Sequence, residues 1–156
     1  MAYYFECKVT YEKNMGEDEG IKKTTETYLI EEYSFSSAEK RIVEEVTPFL
    51  TLGTELTVSG IRRVKVTDLF EGQGDKWYRC KVNLITVDED KGIEKRTAQF
   101  MMVSAADLEE AVRVLSERLA HSQGYYDMVQ VTETPIMDVL HYVAPPAEGT
   151  TQTPAL

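Results

Sequence analysis

Apolar and polar side chains alternate along residues 5–12, where Phe5, Cys7, Val9 and Tyr11 interleave with Glu6, Lys8, Thr10 and Glu12. A period of two sends one set to each face of an extended chain, which predicts a half-buried strand. Tyr78, Cys80, Val82 and Leu84 repeat the alternation. An acidic, glycine-containing turn follows each strand, at residues 14–20 and 88–92. Asp and Gly tolerate the backbone geometry that hairpins need. The returning strands are predicted at about 21–30 and 93–103, rich in Thr, Tyr, Phe and Ile. The period then changes. Phe35, Ala38, Ile42 and Val46 recur at helical spacing, as do Leu108, Ala111, Leu115 and Leu119. Glu39, Glu44 and Glu45, and in the second region Glu109, Glu110 and Glu117, fall on the opposite face. Ser34 and Asp107 are N-cap candidates, Pro48 stops the first helix, and Gly124 marks the end of the second region. A third strand is predicted in each region, at about 55–66 and 128–134.

The two regions align. Residues 4–9 match 77–82 at an offset of 73, and Gly20 to Thr25 match Gly92 to Thr97 at 72. Ser34 to Ala38 match Asp107 to Ala111 at 73, and Asp68-Leu69-Phe70 matches Asp138-Val139-Leu140 at 70. Ordered matches at similar offsets point to a repeated unit. The reading is an α+β fold, a tandem duplication of a β-β-α-β unit over residues 3–71 and 76–142, together one compact domain. It predicts antiparallel sheet with two helices packed on one face. Glu71-Gly72-Gln73-Gly74-Asp75 reads as a flexible connector. Residues 143–156, rich in Pro, Thr and Ala, read as a disordered tail. Asp68 and Asp138 read as a turn or helix cap in each copy.

Three segments carry a family resemblance: the opening aromatic–Phe–x–Cys–Lys–Val, the central Lys76-Trp77-Tyr78-Arg79-Cys80-Lys81, and Thr134-Pro135-Ile136-Met137-Asp138-Val139. They resemble a family of small proteins from Bacteroidetes and their phages, the domain of unknown function DUF4494. The resemblance spans all but the tail. It implies the fold and a bacterial or phage origin, and it brings no site residues with it.

Composition narrows the function classes. At 156 residues, with 42% hydrophobic and 28% charged, the chain has a globular composition. Asp plus Glu number 27 against 17 Lys plus Arg, a net charge of −10. Such a chain is not globally drawn to DNA or to anionic lipid. It contains no apolar run long enough for a membrane helix, and its first residues lack the pattern of a signal peptide, so the cytoplasm is the expected location. Cys7 and Cys80 alternate in phase with core residues and read as buried thiols. They and the isolated His121 and His141 lack the close spacing of a zinc site. No nucleophile, phosphate-loop or metalloprotease motif occurs, and the carboxylate pairs fall in turns or on polar helix faces. The expectation is a protein that is not an enzyme, with no catalytic residue, metal or cofactor.

The remaining signal is the strand face turned away from Phe5, Cys7 and Val9. It carries Tyr4, Glu6, Lys8 and Thr10 in the first region, and Trp77, Arg79, Lys81 and Asn83 in the second. Matching Tyr28 to Phe100 as inward adds Lys23, Thr25 and Thr27, and Lys95, Thr97 and Gln99. The same choice puts Lys22, Glu26, Glu94 and Arg96 on the core side. Lys8, Lys23, Arg79, Lys81 and Lys95 against Glu6 leave a local net charge of +4. Rings flanked by cations suit single-stranded DNA or RNA, whose bases stack while phosphates meet the cations. The candidate binding residues are therefore Tyr4, Lys8, Lys23, Trp77, Arg79, Lys81 and Lys95. Two alternatives stand beside this. Tyr4 and Trp77 can pack against the other repeat or a second copy of the chain, or the acidic helices and hairpin tips can engage a protein partner.

Overall fold

The computed structural model describes residues 2–144. Most of the tail predicted to be disordered, residues 145–156, lies outside the described residues. The elements are β1 (Tyr3–Asn14), β2 (Ile21–Glu32), α1 (Phe35–Val46), a short 3-10 turn (Thr47–Phe49), β3 (Thr57–Val64) and β4 (Asp68–Phe70). They are followed by β5 (Lys76–Asp88), β6 (Ile93–Ala105), α2 (Leu108–Ala120), β7 (Tyr125–Glu133) and β8 (Ile136–Leu140). The fold is α+β. None of its helices is long and apolar enough to cross a membrane.

The alternation predicts one sheet side carrying both helices. The strands instead form two four-stranded sheets, ordered β3-β1-β2-β8 and β4-β6-β5-β7. Each sheet holds its own helix. Ala38, Ile42 and Val46 of α1 pack on Phe5, Cys7, Val9 and Ile30. Ala111 and Leu115 of α2 pack on Tyr78, Cys80, Val82, Met101 and Val103. The other faces of the two sheets meet, and Leu29, Trp77, Met102, Ile136 and Val139 fill the layer between them. The order through the molecule is helix, sheet, sheet, helix.

The helices begin where the sequence places them. The Ser34 hydroxyl accepts from the Ser37 backbone N–H at 3.1 Å, and the Asp107 carboxylate accepts from that of Glu110 at 2.8 Å. Each satisfies a donor that has no partner inside the helix.

The turns predicted at Asp68 and Asp138 are short strands. β4 runs parallel to β6, with Leu69 opposite Met102, and β8 runs parallel to β2, with Val139 opposite Leu29. Each sheet is thus completed by a strand from the other half of the chain. A three-residue strand leaves almost no period to read, so the sequence pattern missed this exchange.

The connector is a packed strap and not a flexible linker. Gly72 donates its backbone N–H to the Ser104 hydroxyl at 2.7 Å. A Cβ at Gly72 would overlap the Ser104 carbonyl, and one at Gly74 would overlap the backbone joining Ala105 to Ala106. Glycine is needed here for close approach. Gly74→Ala is expected to cost about 1–3 kcal/mol, the scale of overpacking. Urea denaturation checks this, with the exposed neighbour Gln73→Ala as the near-neutral control.

Both cysteines are fully buried and free, as their phase predicts. Burial pushes the Cys7 thiol up to about 12 and the Cys80 thiol up to about 11, from an ordinary value of 9.0. A raised acid pKa favours the protonated native state. Its contribution is complete below the unfolded thiol pKa and is lost as pH climbs toward the folded values. Stability should therefore fall from about pH 9 upward, measured as the urea midpoint against pH. A disulfide reagent at neutral pH should leave both thiols unmodified until denaturant is added.

Candidate nucleic-acid interface

Cross-strand pairing fixes which residues share a face. In β1 and β2, Cys7 pairs with Tyr28 and Phe5 with Ile30, so all four face α1. Tyr4, Glu6, Lys8, Lys23, Thr25 and Thr27 take the opposite face, as the alternation predicts. In β5 and β6 the pairs are Tyr78 with Val103, Cys80 with Met101 and Thr86 with Lys95, without a register break. Lys95, Thr97 and Gln99 therefore belong to the side that carries α2. Phe100, Arg96 and Glu94 belong to the side of Trp77, Arg79 and Lys81.

This reverses the sequence assignment for β6, and Lys95 leaves the proposed face. The cause is a one-residue slip. Matching Gly20 to Gly92 gives an offset of 72, whereas Cys7 with Tyr28 and Cys80 with Met101 are equivalent pairs 73 residues apart. The second hairpin zips one pair further, to Asp88 opposite Ile93, and its turn glycine moves with it. In a strand, a slip of one residue inverts every side chain.

Trp77 lies in the layer between the sheets and is only 6% exposed. Its carbonyl accepts from the Thr134 hydroxyl at 2.8 Å and from the Thr134 backbone N–H at 2.9 Å. Tyr4 is half-buried beside the same layer, and burial together with the nearby Glu31 carboxylate raises its phenol pKa. These rings hold the two sheets together. Lys23 is exposed near the β1–β2 hairpin end, lining a separate shallow cleft of about 650 Å³ with Thr10, Glu12 and Ser59.

The other predicted cations come together beyond Tyr4 and Trp77 along β1 and β5. A cleft of about 370 Å³ is lined by Glu6, Arg62, Arg79, Lys81, Phe100, Gln130 and Thr132, among others. The Glu6 carboxylate sits 3.3 Å from the Arg62 guanidinium and 3.5 Å from that of Arg79. Lys8 follows Glu6 on the same face of β1 and is exposed. Two guanidiniums on one carboxylate leave positive charge over, and Lys81 adds to it. Glu133 also borders the cleft, with the Lys76 ammonium at 3.9 Å. Such a site offers planar, multiple donors to an anion, and phosphate is the natural match for guanidinium.

Sequence reasoning overlooked Arg62. It stands directly opposite Glu6 on β3, one residue before Arg63. The signal was Ile61-Arg62-Arg63-Val64, but its face is set by a register break between Lys8 and Val9 that alternation alone cannot locate. The neighbouring guanidinium of Arg63 points elsewhere, lying 3.6 Å over the Tyr3 ring. Among the described residues, no group of three or more His, Cys, Asp or Glu is arranged to hold a metal ion.

A family model matches residues 3–142, and its description is the domain of unknown function DUF4494. The chain belongs to the DUF4494 family. No curated protein and no solved structure matches it. The DUF4494 match runs from the first residue of β1 to just past β8, so one match takes in both sheets, both helices and the cleft. The placement of Trp77 in this DUF4494 chain has a spectroscopic consequence. Its emission should be blue-shifted and quenched by acrylamide far less than free tryptophan, and an emission maximum typical of water-exposed indole would contradict the packed layer.

Proposed function

We propose that this DUF4494 protein is a non-enzymatic binding protein that holds single-stranded nucleic acid at the cleft between its two sheets. The supporting observation is that Arg62 and Arg79 bracket Glu6 in a cleft that Lys81 also lines, while Glu133, the cleft's other carboxylate, has the Lys76 ammonium at 3.9 Å, in a chain of net charge −10. A cationic cleft on an acidic protein implies a local and short contact with a phosphate backbone. Phe100 in the cleft lining offers a ring to a base, and Lys8, exposed on the same face of β1 outside the cleft, extends the cationic track. Tyr4 and Trp77 act behind this surface as its packed floor.

We read the architecture as a tandem duplication, residues 3–71 and 76–142, with the cytoplasm as the place of work. Two features support the duplication. The order strand, strand, helix, strand, strand recurs. Register breaks also fall at equivalent points, between Lys8 and Val9 and between Lys81 and Val82.

A second reading has its own support. Residues 12–23 and 86–97 are almost entirely exposed, the β1–β2 and β5–β6 hairpins carrying acidic turns at 17–19 and 88–90 beside exposed Ile21, Val87 and Ile93. These arms suit a basic protein partner.

One titration separates the two. Labelled oligo-dT and oligo-U are followed by anisotropy at rising salt. Binding should weaken with salt, as each phosphate contact releases counterions at a slope of about −0.7 per contact for single strands. Lys81→Ala is the clean probe, because Arg79 also supports the fold through Glu6. It should weaken binding to every sequence alike and lower the magnitude of the salt slope by about 0.7, the share of one phosphate contact. No oligonucleotide binding at low salt, with binding of a lysine-rich peptide, would move the site to the hairpin arms.

A further inference from the structure

The registers define which positions are equivalent in the two halves. Tyr28 opposite Asp138 corresponds to Met101 opposite Asp68, so β4 and β8 match at an offset of 70 while β1 and β5 match at 73. The layer between the sheets is then built from equivalent pairs: Tyr4 with Trp77, Leu29 with Met102, Leu69 with Val139, and Val66 with Ile136. This is the composition of a two-fold, self-complementary interface, in which each patch meets its own counterpart.

Residues near such an axis touch their own equivalents. Two pairs do so. Glu6 meets Arg79 at 3.5 Å, and Glu71 meets His141 at 2.6 Å between Oε1 and Nε2. In both, the two halves carry chemically complementary groups. A symmetric pair of first halves would put Glu6 on Glu6 and Glu71 on Glu71. A symmetric pair of second halves would put Arg79 on Arg79 and His141 on His141. Carboxylate against carboxylate and guanidinium against guanidinium are like charges, and these suppress the wrong pairing.

We infer that the surface between the sheets is a complete interaction interface whose partner is the opposite half of the chain and never a second copy of the same half. Residues 3–71 recognise residues 76–142 through the exchanged strands β4 and β8, the shared apolar layer and the Glu6–Arg79 and Glu71–His141 pairs. The connector between them positions the halves and is not required to keep them together. This inference goes beyond the nucleic-acid reading and does not depend on it.

The test uses the full chain. A site-specific protease sequence is inserted at the exposed Gln73, the protein is folded, and the connector is then cut. The two fragments should elute together, retain their circular dichroism, and give a 1:1 heterodimer in native mass spectrometry, with no homodimer of either fragment after prolonged incubation. Separation of the fragments on cutting, or the appearance of homodimers, would overturn the inference. A second measurement covers an insertion that itself blocks folding. In the uncut native sequence, Glu6→Gln, Arg79→Gln and the double variant are compared by urea midpoint. The double variant should fall no further than the worse single variant, because each single change already removes the pair. Fully additive losses would mean that Glu6 and Arg79 do not recognise one another.

Discussion

Each sheet in this molecule has two apolar faces and only one helix. That mismatch governs the rest of the structure. α1 and α2 each cover one face, leaving Leu29, Val139 and Ile136 on one sheet and Trp77 and Met102 across from them. Burying such side chains is worth roughly 1.5–3 kcal/mol each, so this layer contributes on the order of 10 kcal/mol. That equals the whole net stability of an ordinary domain. Neither sheet can leave this face in water, and the two sheets must close on one another.

Closure of the sheets explains the strand exchange and the packed connector. β4 and β8 sit at sheet edges and place Leu69 and Val139 in the shared layer. The connector then has to run tightly across the end of β6, where Gly72 and Gly74 leave no room for a side chain. Chain crossing, edge completion and glycine placement all follow from two open faces being brought together.

Toward the cleft the shared layer turns from apolar to ionic. Beyond Tyr4 and Trp77 stand Glu6 and Arg79, and beyond those Lys8 and Lys81. Glu6 side-chain exposure is only 11%, so its charge needs its two guanidinium neighbours. The arrangement supports the join between the halves and also leaves cationic groups lining the cleft. The proposed binding surface is thus the ionic continuation of the packing layer, which is why Arg79 belongs to both and Lys81 only to the surface.

By itself the sequence determined the local features. Alternation in residues 5–12 and 78–84 placed the helix-facing residues of β1 and β5, and Ser34 and Asp107 capped the helices they precede. The phase of Cys7 and Cys80 gave their burial. These depend on neighbours two to four residues away, so a linear reading suffices. The fate of Trp77, the face of Lys95, the partner of Glu6 and the destinations of β4 and β8 were decided by the tertiary structure. A period of two says that a strand has two faces and is silent on what covers the second. It also depends on a register that one additional hairpin pair can invert, and three residues of β4 carry too little period to name a partner more than 30 residues away. Those choices were made by the long-range burial of two sheet faces against each other.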